Sequence, residues 1–268
     1  MQRRYLRYLV ATIPLVAICT LVTCPAGAAD SPYNAHTAYA ALGDSYSAGL
    51  GGDGPTDTKC GRNANGYPTL WAQAHGITSF TNATCGGAVG QDVLNSQLSG
   101  LGRLTDVVTI TVGGNDVGLG DQVSSCLQRS DQGCRDLIDE FDTALPGHMA
   151  TIDKVYAAIR AAAGRAEVYV LDYPHLFEPD TPCSGPLVPS QVQRRALADA
   201  VDALDDAIEA HATRAGFHFV EVRGTFAGHG VCSATPWLHP AASLPAPLHP
   251  TTEGYRSGYF AALEAVTG

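Results

Sequence analysis

A serine directly after a short apolar run is the first candidate for chemistry in this chain. Ser45 follows the run 38–42 and stands in Gly-Asp-Ser-Tyr-Ser, among small residues. At the carboxyl end of a strand, such a serine would present its hydroxyl above an open α/β sheet. We therefore predict that Ser45 is a nucleophile. The alternative is that Gly-Asp-Ser only opens a helix.

Residues that a serine nucleophile requires occur in three later segments. The hydroxyl needs a base that removes its proton and donors that hold the oxyanion of the substrate. His249 is the candidate base, and Gly87 and Asn115 are the candidate donors, with Gly86 as the alternative to Gly87. His239 also occurs as Leu-His-Pro, but we prefer His249 because a predicted helix begins two residues after it and would fix its position.

Strand-like and helix-like segments alternate along the chain. Short apolar runs predict strands at 38–42, 77–81, 107–112, 168–171 and 217–222. Helical patterns lie at 68–74, 92–98, 137–163, 191–215 and 251–265. This alternation predicts a single α/β domain, with a five-stranded, mainly parallel sheet between two helical layers. Because sites form beyond the carboxyl ends of parallel strands, the candidate residues should meet at one edge.

The helix predicted at 191–215 is amphipathic. Its apolar stripe consists of Leu197, Val201, Leu204 and Ile208. The acids between them are expected to face water, and these are Asp199, Asp202, Asp205, Asp206 and Glu209.

Residues 1–29 have the pattern of a secretory signal peptide. A basic start precedes an apolar run from about 8 to 24, and small residues follow, which places cleavage near Ala28 or Ala29. A retained membrane anchor is one alternative, and lipidation of Cys24 is another. The domain would then comprise residues 30–268 of an exported protein, which is secreted or retained at the cell envelope.

The chain is acidic, with 16 Lys and Arg against 26 Asp and Glu and a net charge of −10. An acidic surface repels nucleic-acid phosphates and anionic lipid headgroups, so we expect no nucleic-acid partner. Gly-x-Gly-x-x-Gly at 49–54 is followed by proline and a polar loop, where a dinucleotide site needs a helix. No cluster with metal-ligand spacing occurs. We therefore expect neither a cofactor nor a metal.

The candidate segments together resemble the SGNH/GDSL hydrolases, especially the secreted actinobacterial esterases and lipases with three disulfides. The four ordered blocks that carry this resemblance are Gly43-Asp44-Ser45, Gly87, Gly114-Asn115-Asp116 and His249-Pro250. It covers residues 39–260 and implies a flavodoxin-like SGNH hydrolase fold and an ester substrate. It also implies an oxyanion hole made by the Ser45 and Gly87 backbone N–H groups and the Asn115 side chain. Asp44 and Asp116 are expected to hold turns.

One position departs from the family pattern. Members with a full triad carry an aspartate three residues before the histidine, where this chain has Ala246. Prolines at 245 and 247 stiffen the backbone here. Some actinobacterial relatives orient the histidine with a main-chain carbonyl instead, so the resemblance implies a Ser45–His249 dyad in which the carbonyl of Ala246 or Pro247 accepts the Nδ1–H of His249. A distant aspartate, Asp172, is the alternative.

Six cysteines remain after residue 29, which permits 15 connectivities. An even number in an exported chain without a Cys-x-x-Cys pair favours disulfides over zinc. Sequence order suggests Cys60–Cys85, Cys126–Cys134 and Cys183–Cys232.

These observations predict a monomeric, secreted serine esterase or lipase that works through an acyl-enzyme. Its partner would be a small-molecule or lipid ester, with transient contact with a lipid interface. The segments 119–146 and 224–248, the latter with Phe226 and Trp237, are expected to wall the cleft, although Trp237 could instead pack in the core. The alternative functions are a carbohydrate or peptidoglycan acetylesterase and, in another class, a noncatalytic glycan- or lipid-binding envelope protein.

Overall fold

A sheet of five parallel strands forms the centre of the structure. The computed structural model describes residues 31–185 and 187–268, so the predicted signal segment 1–29 lies outside the described residues. The strands are β1 Ala38–Gly43, β2 Ser79–Asn82, β3 Val107–Thr111, β4 Glu167–Leu171 and β5 His218–Val220. Their order is β2-β1-β3-β4-β5, and every pair is parallel. The predicted α/β fold is confirmed, and this flavodoxin-like order reverses direction between β1 and β3.

The two edge strands differ most from the predicted runs. β2 begins two residues later than the run 77–81, and β5 covers only the middle of the run 217–222. An edge strand makes hydrogen bonds to a neighbouring strand on one side only. The apolar run in the sequence therefore does not show at which residue this hydrogen bonding begins or ends. By contrast, β3 is buried along its whole length, as a continuous apolar run in a parallel sheet predicts.

Helical layers cover both faces of the sheet. The α-helices are α1 Ser45–Ala48, α2 Tyr67–Ala74, α3 Gly90–Asp92, α4 Leu119–Leu127, α5 Asp131–Ala162, α6 Gln191–Arg214 and α7 Ala261–Thr267. π-helical segments occupy Val93–Gln97 and Gly254–Phe260, and a 3₁₀ turn occupies Leu98–Gly100. α5 packs on α6, whereas α2 packs on the segment Gly254–Phe260. Connections between parallel strands are right-handed. The connection from β1 to β2 runs toward one edge of the sheet, and those from β3 to β4 and from β4 to β5 run toward the other. The pair that contains α2 and the pair α5–α6 therefore lie on opposite faces.

The helix predicted at 137–163 starts six residues earlier. Ser130 caps its first turn by accepting a hydrogen bond from the N–H of Gly133 at 3.2 Å. Pro146 lies inside the helix. The buried residues on either side of it are Leu145 and Met149, and both pack in the core. This packing outweighs the hydrogen bond that a proline removes.

One acid of α6 is buried, contrary to our prediction. The apolar stripe is buried as predicted, but Asp205 is also fully buried. Its Oδ1 accepts from the N–H of Tyr173 at 3.2 Å, and its Oδ2 lies 3.4 Å from Nε of Arg223. The backbone donor and the cation offset only part of the cost of burying this carboxylate, because burial and then the neighbouring Asp172 raise the pKa of Asp205 well above its ordinary value. Helical periodicity could not reveal either partner, because both come from other elements.

Three disulfides join the loops around the sheet. They are Cys60–Cys85, Cys126–Cys134 and Cys183–Cys232, which confirms the suggested pairing. Within the two described ranges, no helix is both long enough and apolar enough to cross a membrane.

Candidate active site

The end of β1 presents Ser45 at the carboxyl edge of the sheet. The buried Gln97 side chain pairs with both the N–H and the carbonyl of Gly43, at 2.7 and 2.9 Å. Gly43 has φ +113, and a Cβ there would meet the carbonyl oxygen of Thr111 at 2.1 Å, so the turn requires glycine. Asp44 then caps α1 by accepting from the N–H of Tyr46 at 2.9 Å. Ser45 is therefore the first residue of α1.

His249 lies within hydrogen-bonding distance of Ser45. Its Nε2 is 2.7 Å from Oγ of Ser45, and its Nδ1 is 2.9 Å from the carbonyl oxygen of Pro247. A carbonyl oxygen can only accept, so the proton of the neutral ring resides on Nδ1. Nε2 is then free to accept the hydroxyl proton of Ser45. Ala246, the other expected acceptor, instead receives the backbone N–H of His249, at 3.4 Å.

The surroundings of His249 favour its neutral form. Burial lowers the pKa of His249 below its ordinary value, the hydrogen bond to the Pro247 carbonyl opposes this, and the nearby His239 lowers it further. A neutral imidazole at pH 7 is the form that accepts a proton.

The two alternatives to this arrangement have other partners. Nε2 of His239 is 2.8 Å from the carbonyl oxygen of Gly51. Oδ1 of Asp172 accepts from the N–H of Val222 at 2.6 Å, and its Oδ2 lies 3.4 Å from Nε of Arg223. Among the described residues, the side chains of His239 and Asp172 make no hydrogen bond to the side chain of Ser45 or His249, although the backbone N–H of His239 donates to the carbonyl of His249 at 2.9 Å.

The candidate oxyanion donors differ in whether their N–H groups are already engaged. The N–H of Gly86 donates to the carbonyl of Cys60 at 2.7 Å, whereas the N–H groups of Gly87 and Ser45 have no acceptor within the described ranges. Gly87 has φ +78, which favours glycine. The Asn115 side chain donates to the carbonyl of Ala88 at 3.0 Å, which orients its amide and leaves its second N–H available. Of the two glycines, Gly87 therefore has the free donor.

Two carboxylates hold the loops, in agreement with their expected role. Both oxygens of Asp116 accept from the N–H of Gly90, at 3.0 and 2.9 Å. Oδ2 of Asp44 accepts from the hydroxyl of Tyr173 at 2.6 Å, and that hydroxyl accepts from the N–H of Gly114 at 3.0 Å. Burial raises the pKa of Asp44 to about 7, although the hydrogen bond from Tyr173 counteracts part of this increase.

Three residues that support the site were not predicted from the sequence: Tyr46, Gln97 and Tyr173. The hydroxyl of Tyr46 donates to the carbonyl of Leu248 at 2.8 Å, and its ring lies 5.0 Å from that of His249. Two of the three had a usable signal. Tyr46 is next to Ser45, and Tyr173 follows β4 at the same edge of the sheet. Nothing in the local sequence distinguishes Gln97 from an ordinary helical glutamine.

A cavity of about 490 Å³ lies beside Ser45, Asn115 and His249. Most of its walls are apolar, and their aliphatic side chains are Leu119, Val123, Leu127, Leu176, Leu187, Ala241, Pro247 and Leu248. The segments 119–146 and 224–248 thus both contribute, as predicted. Phe226 and Trp237 are absent from the walls, because Phe226 packs against Tyr259 and Trp237 stacks on His229. The expectation that Phe226 walls the cleft was wrong, whereas Trp237 packs against the core, as the alternative for this residue predicted.

Within the described ranges, no group of three or more His, Cys, Asp or Glu residues is arranged to hold a metal ion.

Comparison with known proteins gives the family. Residues 41–257 match the model of the GDSL-like Lipase/Acylhydrolase family. The chain is 38% identical over 233 residues to Lipase 1 of Streptomyces coelicolor, covering 84% of this chain and 85% of the relative. It is 38% identical over 249 residues to a lipase of Streptomyces rimosus, covering 90% of each.

Two crystal structures agree with the described fold over most of their length. The extracellular lipase of Streptomyces rimosus gives a TM-score of 0.81 and covers 86% of this chain and 100% of its own. A phospholipase A1 of Streptomyces albidoflavus, 35% identical, gives a TM-score of 0.80 with 86% and 99% covered. The chain therefore belongs to the GDSL-like lipase/acylhydrolase family and is a carboxylic ester hydrolase.

Proposed function

We propose that this protein is a secreted lipase or phospholipase that cleaves esters of aliphatic acids, with Ser45 as nucleophile and His249 as general base. The distance of 2.7 Å between Oγ of Ser45 and Nε2 of His249, beside an apolar cavity, is the observation that carries the proposal. Neutral His249 takes the hydroxyl proton on Nε2 as Oγ bonds to the ester carbonyl carbon. The carbonyl of Pro247 holds the ring by accepting Nδ1–H, in the role that a carboxylate has in a triad.

The acyl-enzyme forms and is hydrolysed through the same two side chains. When the tetrahedral intermediate collapses, the C–O bond to the alcohol breaks and Nε2–H of His249 protonates the leaving oxygen. A water molecule then gives its proton to Nε2 and bonds to the acyl carbon. The second collapse returns the proton to Oγ of Ser45 and releases the carboxylic acid.

The proposed oxyanion hole consists of the N–H groups of Ser45 and Gly87 and the side-chain amide of Asn115. The two unengaged backbone N–H groups and the oriented amide support this assignment. Each such donor contributes roughly 3 to 4 kcal/mol to transition-state stabilisation in other hydrolases.

The shape and chemistry of the cavity support an acyl chain much longer than acetyl. About 490 Å³ falls within the range of sites that hold drug-sized ligands, roughly 300 to 1,000 Å³. Walls rich in leucine and valine favour a hydrocarbon chain. The relatives named as lipases and phospholipase A1 point the same way. A carbohydrate or peptidoglycan acetylesterase would need only a small acyl slot, so it is less well supported.

Turnover of an ester series tests the acyl preference. p-Nitrophenyl esters from acetate to palmitate, run beside acetylxylan and phosphatidylcholine, should give the highest kcat/KM with medium or long chains. A maximum at acetate, together with release of acetate from acetylxylan, would contradict the proposal.

Substitution and covalent labelling test the two residues. A fluorophosphonate should label the protein but not Ser45→Ala. Ser45→Ala and His249→Ala should each lower kcat by at least about a thousandfold, as removal of either residue does in other serine hydrolases. His239→Ala serves as the matched histidine control and should retain turnover. Loss of all turnover in His239→Ala, with turnover retained in His249→Ala, would overturn the assignment.

We further propose that residues 1–29 direct export and that the mature, monomeric enzyme comprises residues 30–268. Three disulfides suit an oxidising compartment, and the similar lipase of Streptomyces rimosus is extracellular. Protein recovered from the culture medium should begin at Ala29 or Asp30. Recovery only in the membrane fraction, with a lipid on Cys24, would show envelope retention instead.

A further inference from the structure

Exposed leucines lie on two loops that help to form the apolar cavity. In the described part of the chain, the large hydrophobic side chains that are exposed are Leu104, Leu187, Leu244 and Val266, at 75%, 54%, 87% and 50%. Leu187 itself lines the cavity. Leu244 lies between Ala241 and Pro247, which both line it. Single exposed apolar residues are common, but two beside one apolar cavity form a local feature.

Both loops are free of formally charged side chains. The segments 181–193 and 224–252 contain no Asp, Glu, Lys or Arg. At the chain's average of 16% charged residues, the longer segment would hold about five. The disulfide Cys183–Cys232 joins one segment to the other. We call the described residues of these two segments, which include Leu187 and Leu244, the apolar rim.

We propose that the apolar rim docks the enzyme on the surface of a zwitterionic lipid bilayer, of the phosphatidylcholine type. This inference rests on the proposed function, because it explains how an acyl chain enters the cavity without crossing water. Transfer of exposed leucine side chains from water to the boundary between the headgroups and the acyl chains of a bilayer is favourable.

The charge of the protein selects the kind of surface. An overall charge of −10 repels anionic headgroups, while the uncharged rim faces no such penalty against zwitterionic ones. The rim contains no lysine or arginine that would attract an anionic lipid. Docking should therefore depend on apolar contact and change little with salt.

Binding to vesicles of diether phosphatidylcholine tests the proposal without turnover, because ether lipids have no acyl ester. We expect the enzyme to sediment with these vesicles, and Leu187→Ser and Leu244→Ser each to weaken the partition by about tenfold. Leu104→Ser is the matched control, since Leu104 is as exposed but precedes β3, at the sheet edge opposite the site. It should bind as the unchanged protein does. The unchanged protein and all three variants are prepared with the same N-terminus, so that they differ only in the substituted side chain.

Leu244→Ser also separates docking from catalysis. It should turn over a dissolved short-chain p-nitrophenyl ester normally but hydrolyse phosphatidylcholine vesicles more slowly at low lipid concentration. Equal binding of the rim variants and the unchanged protein, an equal loss in Leu104→Ser, or binding that requires anionic lipid would each overturn the proposal. Absence of turnover on dissolved esters would count against the proposed function, whereas vesicle binding would still decide the docking.

Discussion

Tyr46 anchors the backbone at Leu248, the residue that precedes His249. Its hydroxyl donates to the Leu248 carbonyl at 2.8 Å, and Leu248 has φ +61, which a leucine rarely adopts. The residue after the proposed nucleophile thus holds the residue before the proposed base. Because no carboxylate in the described part of the chain hydrogen-bonds to His249, we expect this contact to help keep its ring in place.

Tyr46→Phe should lower kcat by about tenfold with little change in KM, because a misplaced base affects proton transfer more than binding. The free energy of unfolding should fall by about 1 kcal/mol, as one buried hydrogen bond is lost. Tyr259→Phe is the control, since the hydroxyl of Tyr259 likewise donates to a backbone carbonyl, that of Asp172, at 2.9 Å. It should lose similar stability and keep kcat. Equal kcat values in the two variants would contradict a positioning role for Tyr46.

The pH dependence of kcat/KM should report the lowered pKa of His249. Protonated His249 cannot accept the proton of Ser45, so the rate falls as pH falls through this pKa. Burial lowers the pKa, so the midpoint should lie below the ordinary value of about 6.5. His239 lowers it further, and His239→Ala should therefore move the midpoint upward. Rates measured on a dissolved ester between pH 4.5 and 8.5 check both statements, and a midpoint above 6.5 in the unchanged enzyme would refute the first.

A carboxylate at position 246 should raise the pKa of His249. Ala246→Asp would put a negative charge beside the imidazolium and stabilise it, so the acid limb of kcat/KM should shift to higher pH. Ala246→Asn has a similar shape without the charge and should leave the limb in place. Since Ala246 is buried, both variants are also expected to lose stability, which thermal unfolding would measure. An unshifted limb in an active, folded Ala246→Asp enzyme would show that the charge does not reach His249.

Asn115→Ala should lower kcat by about a hundred- to a thousandfold, the usual result of removing one oxyanion donor. KM should change much less, because the charge on the oxygen develops only in the transition state. Asn95→Ala, an exposed asparagine in the segment Val93–Gln97, is the control and should behave as the unchanged enzyme. A rise in KM without a fall in kcat would identify Asn115 as a binding residue instead.

The three disulfides should differ in their contributions to stability and activity. Their sequence separations are 25 for Cys60–Cys85, 8 for Cys126–Cys134 and 49 for Cys183–Cys232. Loop entropy then predicts losses of about 3.5, 2.5 and 4 kcal/mol when each pair is replaced by alanine. Urea unfolding measures this order.

Activity should depend most on the first disulfide. The carbonyl of Cys60 accepts from the N–H of Gly86, so this pair holds the loop that carries Gly87. Its removal should lower kcat more than removal of Cys126–Cys134, at a temperature where both variants are folded. The same kcat in both would argue against a role for this loop in the oxyanion hole.

Much of the fold could be read from local patterns. Apolar runs alternating with helical stripes predict a parallel sheet, because only buried strands and one-sided helices satisfy such patterns. The ends of those strands then predict that Ser45, Asn115 and His249 share one edge of the sheet. The structure brings all three to the same cavity.

Other features depend on contacts between segments far apart in the sequence. Asp205 is buried beside Arg223 and the N–H of Tyr173, and Phe226 packs on Tyr259 and not in the cleft. A helical or apolar pattern in the sequence predicts only which side of a helix or strand is buried. It does not predict which residues of other elements contact that side.

The sequence by itself determined the order of the strands and helices, the four motif blocks and the absence of an aspartate at position 246. Only the tertiary structure decided that Pro247, rather than Ala246, accepts Nδ1–H of His249, and that Gly87, rather than Gly86, has a free N–H. In each pair the two candidates are neighbours of similar chemistry. A hydrogen bond requires a specific distance and direction, and these differ between one residue and the next along the backbone. The three-dimensional path of the backbone therefore decides which of the two neighbours makes the bond.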